Sequence, residues 1–333
     1  MSEAAIRVSV VGGGSFGTAF AAHLGRLGLP TTLLVRDPSL AAGIESTRRN
    51  PRYLTGVVLP SCVRATTGFH GLSDSSLVVL AVPSRGYVEA SERLVPLLSA
   101  QAIVLSLTKG LEPGTGERLS TVLRRSGLEA SRIAVLSGPN HAEEIARSAP
   151  TAAVVSSSSA ETTAALQRLL STDRLRLYGN DDLVGVELGA AAKNVIAVAA
   201  GTSDGLGFGD NAKAALLTRG LAEIARLGVA LGADRRTFAG LAGLGDLVAT
   251  CCSAHSRNRA AGELLGRGVP AAEIDDRLGM VAEGLTTAPT LAALAERHSV
   301  EVPITREVCA ILDGLHPASA LESLMRRGPA TEW

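Results

Sequence analysis

Two charged side chains stand in otherwise apolar stretches, and chemistry is most readily inferred from them. Residues 188–201 contain only two polar side chains, Lys193 and Asn194. At helical spacing Lys193 shares its face with small or apolar residues, so the sequence predicts a partly buried lysine. Burial disfavours the charged ammonium, which favours a role in proton transfer. The alternative is a lysine whose stem lies along a helix surface while its ammonium stays in water.

Asp246 is the second of these charges. Within residues 238–252 it is the only ionisable group apart from two cysteines. A buried carboxylate is seldom unpaired, and Lys193 is an obvious candidate partner. An aspartate that caps a helix beginning at Leu247 is an equally open interpretation, and both can hold together.

A polar, basic run follows this apolar segment directly. Ser256, Arg257 and Asn258 supply a hydroxyl, a guanidinium and an amide, which are donors suited to a phosphate monoester. A solvated loop would explain the same residues. The position of the run next to Asp246 favours a binding role.

A glycine-rich turn lies near the start of the chain. Residues 7–11 have the composition of a β-strand and lead into a G-x-G-x-x-G pattern with Gly12, Gly14 and Gly17. The first glycine permits a tight turn, the second lets backbone approach a pyrophosphate, and the third lets helix and strand pack closely. The pattern predicts a site for NAD(H) or NADP(H), although a plain glycine turn has the same spacing.

The next predicted strand, residues 31–35, ends in Arg36 and Asp37. An acid at this place usually binds the ribose hydroxyls of NAD, whereas an arginine can pair with the 2′-phosphate of NADP. Arg36 therefore favours NADP(H), and Asp37 keeps NAD(H) open. Arg36 as a merely exposed strand end remains an alternative.

Two further loops follow predicted strands at residues 103–107 and 132–136. They contain Lys109 and the segment from Gly138 to His141. Ligands of doubly wound sheets bind outside the carboxyl ends of the strands, so both loops are candidate sites. A histidine at this position is more typical of a helix start or a surface than of a catalytic base.

The elements that must position these residues differ between the two halves of the chain. Up to about residue 180, short β-branched runs alternate with helical stretches, with further strands predicted at residues 77–82 and 152–156. Such alternation indicates a parallel sheet with helices on both faces. Beyond residue 186, Ala- and Leu-rich stretches such as residues 211–231 and 289–297 have helical period.

The predicted fold class is accordingly α/β. A doubly wound Rossmann domain over residues 1–185 precedes an all-α domain over residues 186–333.

Composition argues against several other classes of protein. Lys plus Arg and Asp plus Glu each number 32, and aromatic residues are 3%, so a nucleic-acid partner is not expected. The four cysteines show no C-x-x-C pair, so neither a disulfide framework nor a metal site is expected, and a cytoplasmic location fits. No stretch of about 18 uncharged apolar residues predicts a membrane span, and the N-terminus lacks signal-peptide features.

As an ordered set, the motifs resemble those of the NAD(P)-dependent glycerol-3-phosphate dehydrogenases. The resemblance implies a Rossmann domain, a helical domain, an active site in the cleft between them, and a homodimer. It implies reversible reduction of dihydroxyacetone phosphate to sn-glycerol 3-phosphate for phospholipid synthesis. The matching motifs are Gly12-x-Gly-x-x-Gly17, Leu107-Thr-Lys109-Gly, Ser137-Gly-Pro-Asn140-x-Ala142, Ala192-Lys-Asn194, Gly243-x-Gly-Asp246 and Ser256-Arg-Asn258-Arg.

The resemblance also implies residue roles. Lys193 would be the proton donor and acceptor, with Lys109 and Asp246 completing the catalytic group. Substrate contacts would come from Lys109, Gly138, Asn140, Lys193, Asn194, Asp246, Thr250, Ser256, Arg257 and Asn258. Cofactor contacts would come from Gly12, Gly14, Ser15, Phe16, Gly17, Arg36, Tyr53, Lys109, Ala142, Arg257, Val281 and Glu283.

Two positions depart from the family pattern, and two other functions compete with this one. Asn140 stands where Ser or Thr is frequent, and Thr55 replaces a frequent proline. One rival is a related reductase of another phosphorylated or carboxylated hydroxy-ketone, such as ketopantoate, and the basic run at Arg257 argues against a carboxylated substrate. The other is a catalytically silent NADP(H) sensor, which would have no need of Lys193 and Asp246 in apolar helices.

Overall fold

A computed structural model describes residues 6–69 and 71–326. The chain divides into two compact units. The first holds the chain up to Glu112 together with Glu117–Glu187, and the second holds Pro113–Gly116 together with the chain from Leu188 onward.

The first unit is built on an eight-stranded sheet with the spatial order β3-β2-β1-β4-β5-β6-β7-β8. Short β-branched and aliphatic runs form the strands, and the central ones are buried throughout, as expected for a sheet covered on both faces. The strands are β1 Val8–Val11, β2 Thr31–Leu34, β3 Val63–Thr66, β4 Leu77–Leu80, β5 Ile103–Ser106, β6 Ile133–Ser137, β7 Thr151–Ser157 and β8 Leu175–Asn180.

One pairing differs from the predicted all-parallel sheet. Strands β3 to β6 pair in parallel around β1, and β8 is parallel to β7. Strand β7, however, runs antiparallel to β6. The helix between them, α5 (Ala142–Ala146), has only five residues. A short connection returns the chain beside the strand it has just left, which produces an antiparallel neighbour.

Helices cover both faces of this sheet, as predicted. Phe20, Ile44 and Leu166 belong to the apolar core on one face, whereas Tyr87 and Val122 belong to the core on the other. The helices of this unit, besides α5, are α1 Ser15–Arg26, α2 Pro38–Thr47, α3 Tyr87–Leu94, α4 Leu119–Arg125 and α6 Ala160–Leu170.

All the described elements of the second unit are helical. The division between the units falls inside α7 (Leu183–Gly205), so this helix begins in the first unit and continues in the second. The other helices are α8 Asp210–Ala230, α9 Arg235–Ala239, α10 Asp246–Cys252, α11 Arg257–Gly266, α12 Ile274–Leu278, α13 Glu283–Arg297, α14 Pro303–Leu312 and α15 Pro317–Met325. A π-helical turn, Leu241–Gly245, leads into α10.

Helix α7 is the one described helix that is long and apolar enough, by length and composition, to cross a membrane. Within the protein, 83% of its most apolar window is buried. Buried core helices pass the same test of length and composition, so this helix alone is weak support for a membrane span.

Candidate active site

The glycine-rich turn connects β1 to α1 in a conformation that requires glycine. Gly12 has a φ of +114°, a backbone angle that residues with a side chain rarely adopt. A Cβ on Gly17 would lie 1.9 Å from the carbonyl oxygen of Gly12, so helix and turn contact each other backbone to backbone. The turn and the close packing predicted from the sequence are both present.

The space beside this turn suits a dinucleotide. A Cβ on Gly14 would meet no protein atom within 4 Å, so the backbone there is open to a ligand. No side chain caps α1, and its first turn contains no acidic residue. The backbone N–H groups and the positive dipole end of the helix are thus available to an anion. The turn also lies where the strand order reverses, between β1 and β4, which is where such sheets bind nucleotides.

A buried asparagine outside the sequence motifs, Asn50, connects this turn to Tyr53. The Asn50 Nδ2 atom donates to the Gly13 carbonyl oxygen at 2.9 Å and to the Thr18 hydroxyl at 2.8 Å. Its Oδ1 atom accepts from the backbone N–H groups of Arg52 at 2.9 Å and Tyr53 at 3.0 Å. The sequence signal was weak because Asn50 lies beside arginines and a proline, in what looks like an ordinary loop.

Ser15 and Phe16 begin α1 beside the glycine turn. Phe16 is half-buried and packs against the core of the first unit. The structure therefore places the Ser15, Phe16 and Tyr53 segments around one turn.

The end of β2 carries Arg36 and Asp37. Arg36 is exposed, whereas Asp37 caps α2 by accepting from the Ser39 backbone N–H at 2.8 Å and its hydroxyl at 2.7 Å. The Arg52 guanidinium donates to the other oxygen of the Asp37 carboxylate. The side-chain and backbone hydrogen bonds from Ser39, aided by Arg52, lower the pKa of Asp37 to about 2. Asp37 is therefore ionised and engaged within the protein.

Lys109 lies with two residues of the loop after β6. Its Nζ atom donates to the Gly138 carbonyl oxygen at 3.0 Å and to Asn140 Oδ1 at 2.6 Å. Asn140 is buried, and its Nδ2 atom has no hydrogen-bond partner among the described residues. A buried donor without a partner is uncommon and suggests a ligand contact. Ala142 begins α5 two residues later.

The second unit contains a buried cluster around Lys193 on α7. The Lys193 Nζ atom donates to Asp246 Oδ1 and to Thr250 Oγ1, each at 2.6 Å. The Thr250 hydroxyl in turn donates to the Asp246 carbonyl oxygen at 2.6 Å, so its lone pairs face the ammonium. All three side chains are at most 6% exposed. Burial raises the pKa of the neighbouring Cys251 thiol to about 12, so this thiol stays protonated.

The expected pairing of Lys193 with Asp246 is therefore present, but the capping alternative is wrong. The chain is already helical through Leu241–Gly245, and Asp246 continues into α10 with helical backbone angles. Because Asp246 has a helical turn before it, its carboxylate is not at a helix end, and it binds Lys193 instead.

Two asparagines extend the cluster in a fixed orientation. The Asn258 Nδ2 atom donates to Asn194 Oδ1 at 2.8 Å, and Asn258 Oδ1 accepts from the Gly284 backbone N–H at 2.9 Å. A backbone N–H can only donate, so it sets which end of the Asn258 amide is oxygen. That choice in turn sets the orientation of the Asn194 amide.

The remaining predicted residues lie at the starts of α11 and α13. The Ser256 side chain caps α11 by accepting from the Arg259 backbone N–H at 3.2 Å. Arg257 is exposed and donates to the Val281 carbonyl oxygen at 3.3 Å. Glu283 is the first residue of α13. Arg257, Val281 and Glu283 are thus brought to one part of the second unit.

The structure gathers most of the predicted residues into four groups. One surrounds the glycine turn, one contains Lys109 with Asn140, one surrounds Lys193, and one lies at the starts of α11 and α13. Within residues 6–69 and 71–326, no group of three or more His, Cys, Asp or Glu side chains could hold a metal ion.

Comparisons with known proteins show which family the chain belongs to. A family model for the N-terminus of NAD-dependent glycerol-3-phosphate dehydrogenase matches residues 7–163, and one for its C-terminus matches residues 182–322. A glycerol-3-phosphate dehydrogenase [NAD(P)+] of Parafrankia sp. (strain EAN1pec) is 50% identical, covering 98% of this chain and 99% of the relative. The enzyme of that name from Thermoanaerobacter sp. (strain X514) is 48% identical, covering 97% of each chain.

A solved structure of a protein with the same name is also similar to this chain. The crystal structure of glycerol-3-phosphate dehydrogenase from Coxiella burnetii has a TM-score of 0.91 and 37% identity, covering 97% of this chain and all of that one. These relatives give no support to a reductase of carboxylated ketones or to a silent sensor. The chain therefore belongs to the family of NAD(P)-dependent glycerol-3-phosphate dehydrogenases.

Proposed function

We propose that this chain catalyses the reversible reduction of dihydroxyacetone phosphate to sn-glycerol 3-phosphate. NAD(P)H supplies the hydride that the C2 carbonyl carbon accepts. The buried group of Lys193, Asp246 and Thr250 is the observation that carries the proposal within this family. It places a proton donor where little water competes.

Lys193 is the proton donor in reduction and the acceptor in oxidation. Its ammonium has three N–H groups, of which Asp246 and Thr250 take two. The third is the one that donates to the substrate oxygen. As negative charge develops on that oxygen, proton transfer from Nζ neutralises it. The Asp246 carboxylate orients the Lys193 side chain before the transfer.

The polar groups around this lysine and around Lys109 hold the substrate. Asn194, fixed by Asn258, and Asn140, fixed by Lys109, contribute amide groups with defined orientation. Charged and amide donors aimed at a developing alkoxide stabilise it without reorganisation.

The phosphate is bound at the start of α11. Arg257 supplies a fork of donors, and Asn258 supplies a side-chain amide beside it. Ser256 takes part through its hydroxyl hydrogen, because its oxygen accepts from the Arg259 backbone N–H. Phosphate binding far from C2 orients the ketone, which lowers the entropic cost of the reaction.

The cofactor is bound at the glycine turn. The pyrophosphate would lie against Gly12, Gly14 and Gly17, where the open space at Gly14 and the uncapped helix accommodate it. The other proposed cofactor residues are Ser15, Phe16, Arg36, Tyr53, Lys109, Ala142, Arg257, Val281 and Glu283.

Three broader features belong to the same proposal. A cofactor domain spans residues 1–185 and a catalytic domain spans residues 186–333. The enzyme is cytoplasmic, and its product enters phospholipid synthesis. It forms a homodimer, and analytical ultracentrifugation would test this oligomeric state.

Substitution of Lys193 tests the assignment. Lys193→Ala should bind NADPH as the wild type does in fluorescence titrations but lose about two to four orders of magnitude in kcat. Lys193→Arg keeps the charge yet cannot release a proton near neutral pH, so it should be nearly as slow.

Lys213→Ala is the matched control for this experiment. Lys213 lies on α8 in an ion pair with Asp204, outside the proposed machinery, and the variant should keep kcat within a few-fold. A wild-type kcat in Lys193→Ala would refute the role of Lys193. Faster turnover of ketopantoate than of dihydroxyacetone phosphate by the wild type would refute the substrate.

A further inference from the structure

The acid at the end of β2 is already occupied by protein groups. Asp37 Oδ1 accepts two hydrogen bonds from Ser39, and Oδ2 accepts one from Arg52. An acid that recognises NAD must offer these oxygens to the ribose hydroxyls. Asp37 is therefore poorly placed to bind the ribose hydroxyls of NAD.

The charges at this point favour an anion. Arg36 is exposed and directly precedes Asp37 in the chain, and Arg52 forms an ion pair with Asp37. Two guanidiniums and one carboxylate leave a local charge of +1, so a phosphate would meet net attraction. Guanidinium groups bind phosphate through paired hydrogen bonds, which an uncharged hydroxyl cannot match.

Asn50 fixes the backbone that carries Arg52. Its buried amide accepts from the backbone N–H of Arg52 and donates to the Gly13 carbonyl oxygen. The backbone at Arg52 is thereby connected through Asn50 to the glycine turn that would bind the pyrophosphate. The adenosine ribose of the same cofactor is bonded to that pyrophosphate, so its 2′ substituent would lie near the segment that carries Arg52.

We propose that Arg52 is a second contact for the 2′-phosphate of NADP(H), acting with Arg36, and that the Asp37–Arg52 pair selects NADP(H) over NAD(H). This inference rests on the proposed function and adds a cofactor preference to it. Arg52 shares its guanidinium between Asp37 and the phosphate, while the engaged Asp37 has reduced capacity to hold the free ribose hydroxyls of NAD(H).

A surface ion pair without any such role is the competing explanation, since exposed pairs contribute little to stability. The two explanations differ in which cofactor is affected when Arg52 is removed. A stability role alone would change turnover with both cofactors equally, because neither pyrophosphate nor nicotinamide differs between them.

The test is the ratio of kcat/KM with NADPH to kcat/KM with NADH, measured for dihydroxyacetone phosphate reduction. Arg52→Ala should reduce this ratio at least tenfold, and so should Arg36→Ala. Adenosine 2′,5′-bisphosphate and 5′-AMP serve as competing probes. Arg52→Ala should weaken inhibition by the bisphosphate about tenfold more than inhibition by 5′-AMP.

Arg64→Ala is the matched control. Arg64 is exposed and forms a similar ion pair with Glu45 of α2, but it pairs with Thr32 near the start of β2. This variant should keep the wild-type ratio. An Arg52→Ala enzyme with an unchanged ratio, or with equal losses for both probes, would overturn the inference.

The experiment separates the two proposals. A wild type that reduces dihydroxyacetone phosphate with neither cofactor would refute the proposed function. A wild type that does reduce it, but whose cofactor ratio does not depend on Arg52, would refute only the selectivity role.

Discussion

Lysine is rare in this protein, and its placement is informative. Only three of the 32 basic residues are lysines, at positions 109, 193 and 213. Arginine cannot give up its proton under ordinary conditions, whereas lysine can. A chain that otherwise uses arginine but retains Lys193 against Asp246 keeps the side chain that can transfer a proton. The arginines serve where a permanent charge is sufficient, as proposed for Arg257.

Substitution of the single residue Asn140 tests its proposed contact with the substrate. Its Oδ1 atom accepts from Lys109, which leaves the buried Nδ2 atom to donate to the substrate. Asn140→Asp replaces that donor with an oxygen and adds a negative charge. A buried polar group left without its partner costs about 1–3 kcal/mol, so KM for dihydroxyacetone phosphate should rise about tenfold.

Asn140→Ser is the control for that experiment. A hydroxyl can accept from Lys109 and also donate, so this variant should keep KM within a few-fold of the wild type. Steady-state kinetics at saturating NADPH measure both variants. If Asn140→Asp kept the wild-type KM, the Nδ2 atom would not contact the substrate.

At the scale of elements, close helix packing positions the proposed catalytic residues. Helix α7 carries Lys193 and Asn194, and α11 carries Asn258. A Cβ on Gly201 would lie 1.9 Å from the Arg259 carbonyl oxygen, so the two helices meet backbone to backbone. The Asn258–Asn194 hydrogen bond depends on this short separation.

Gly262→Ala tests the packing. The added Cβ would lie 2.1 Å from the Val198 carbonyl oxygen, so α11 must move away from α7. Overpacking typically costs about 1–3 kcal/mol. We expect a Tm lower by several degrees and a kcat reduced more than tenfold, because the asparagines separate.

Gly240→Ala is the glycine control from the same unit. Its Cβ would have only an ordinary contact, 3.4 Å from the Thr237 carbonyl oxygen, and its φ is −90°. Calorimetry and kinetics should give values near those of the wild type. Full kcat in Gly262→Ala would show that the separation of the helices does not control the site.

Most strands were predictable from the sequence, and those that were missed have physical reasons. Runs such as Leu77–Leu80 are uniformly apolar, which is typical of a strand buried on both faces. Val63–Thr66 and Leu175–Asn180 each contain an arginine and exposed positions, and they lie toward the edges of the sheet, so their hydrophobic signal is weak. The direction of β7 depends on its neighbours in space, about which its own residues carry no information.

The candidate site was predictable to a similar extent. Lys193 and Asp246 stood out because a charge in an apolar helix has few stable environments, and pairing is one of them. The role of Asn50 was not predictable, because it depends on backbone groups 37 positions away that only the fold brings near. The Arg52 contact with Asp37 was not predictable for the same reason, because only the fold brings these two side chains together.

At the scale of the whole molecule, each unit contains a buried glutamate that joins distant segments. Glu187, in the first unit, accepts from the Ser120 backbone N–H at 2.8 Å and from Arg118 at 2.9 Å. Glu223, in the second, accepts from the backbone N–H groups of Ile304 and Thr305 at the start of α14. Burial raises the pKa of both carboxyls, and these hydrogen-bond donors lower it by less. The pKa of each carboxyl is therefore above its ordinary value.

These raised pKa values predict how stability depends on pH. A carboxyl with a higher pKa in the folded state than its ordinary 4.5 binds its proton more tightly when folded. Its contribution to stability is complete below pH 4.5 and is lost as pH rises through the folded-state pKa.

For Glu187, each unit of difference between the folded-state and unfolded-state pKa values corresponds to about 1.4 kcal/mol. Glu187→Gln cannot titrate, so wild-type stability should fall relative to this variant as the pH rises above 4.5. Urea unfolding at several pH values measures the difference, and Glu296→Gln, an exposed position on α13, should show no such trend. A constant difference between wild type and Glu187→Gln, or a wild type that gains relative stability as pH rises, would contradict the raised pKa of Glu187.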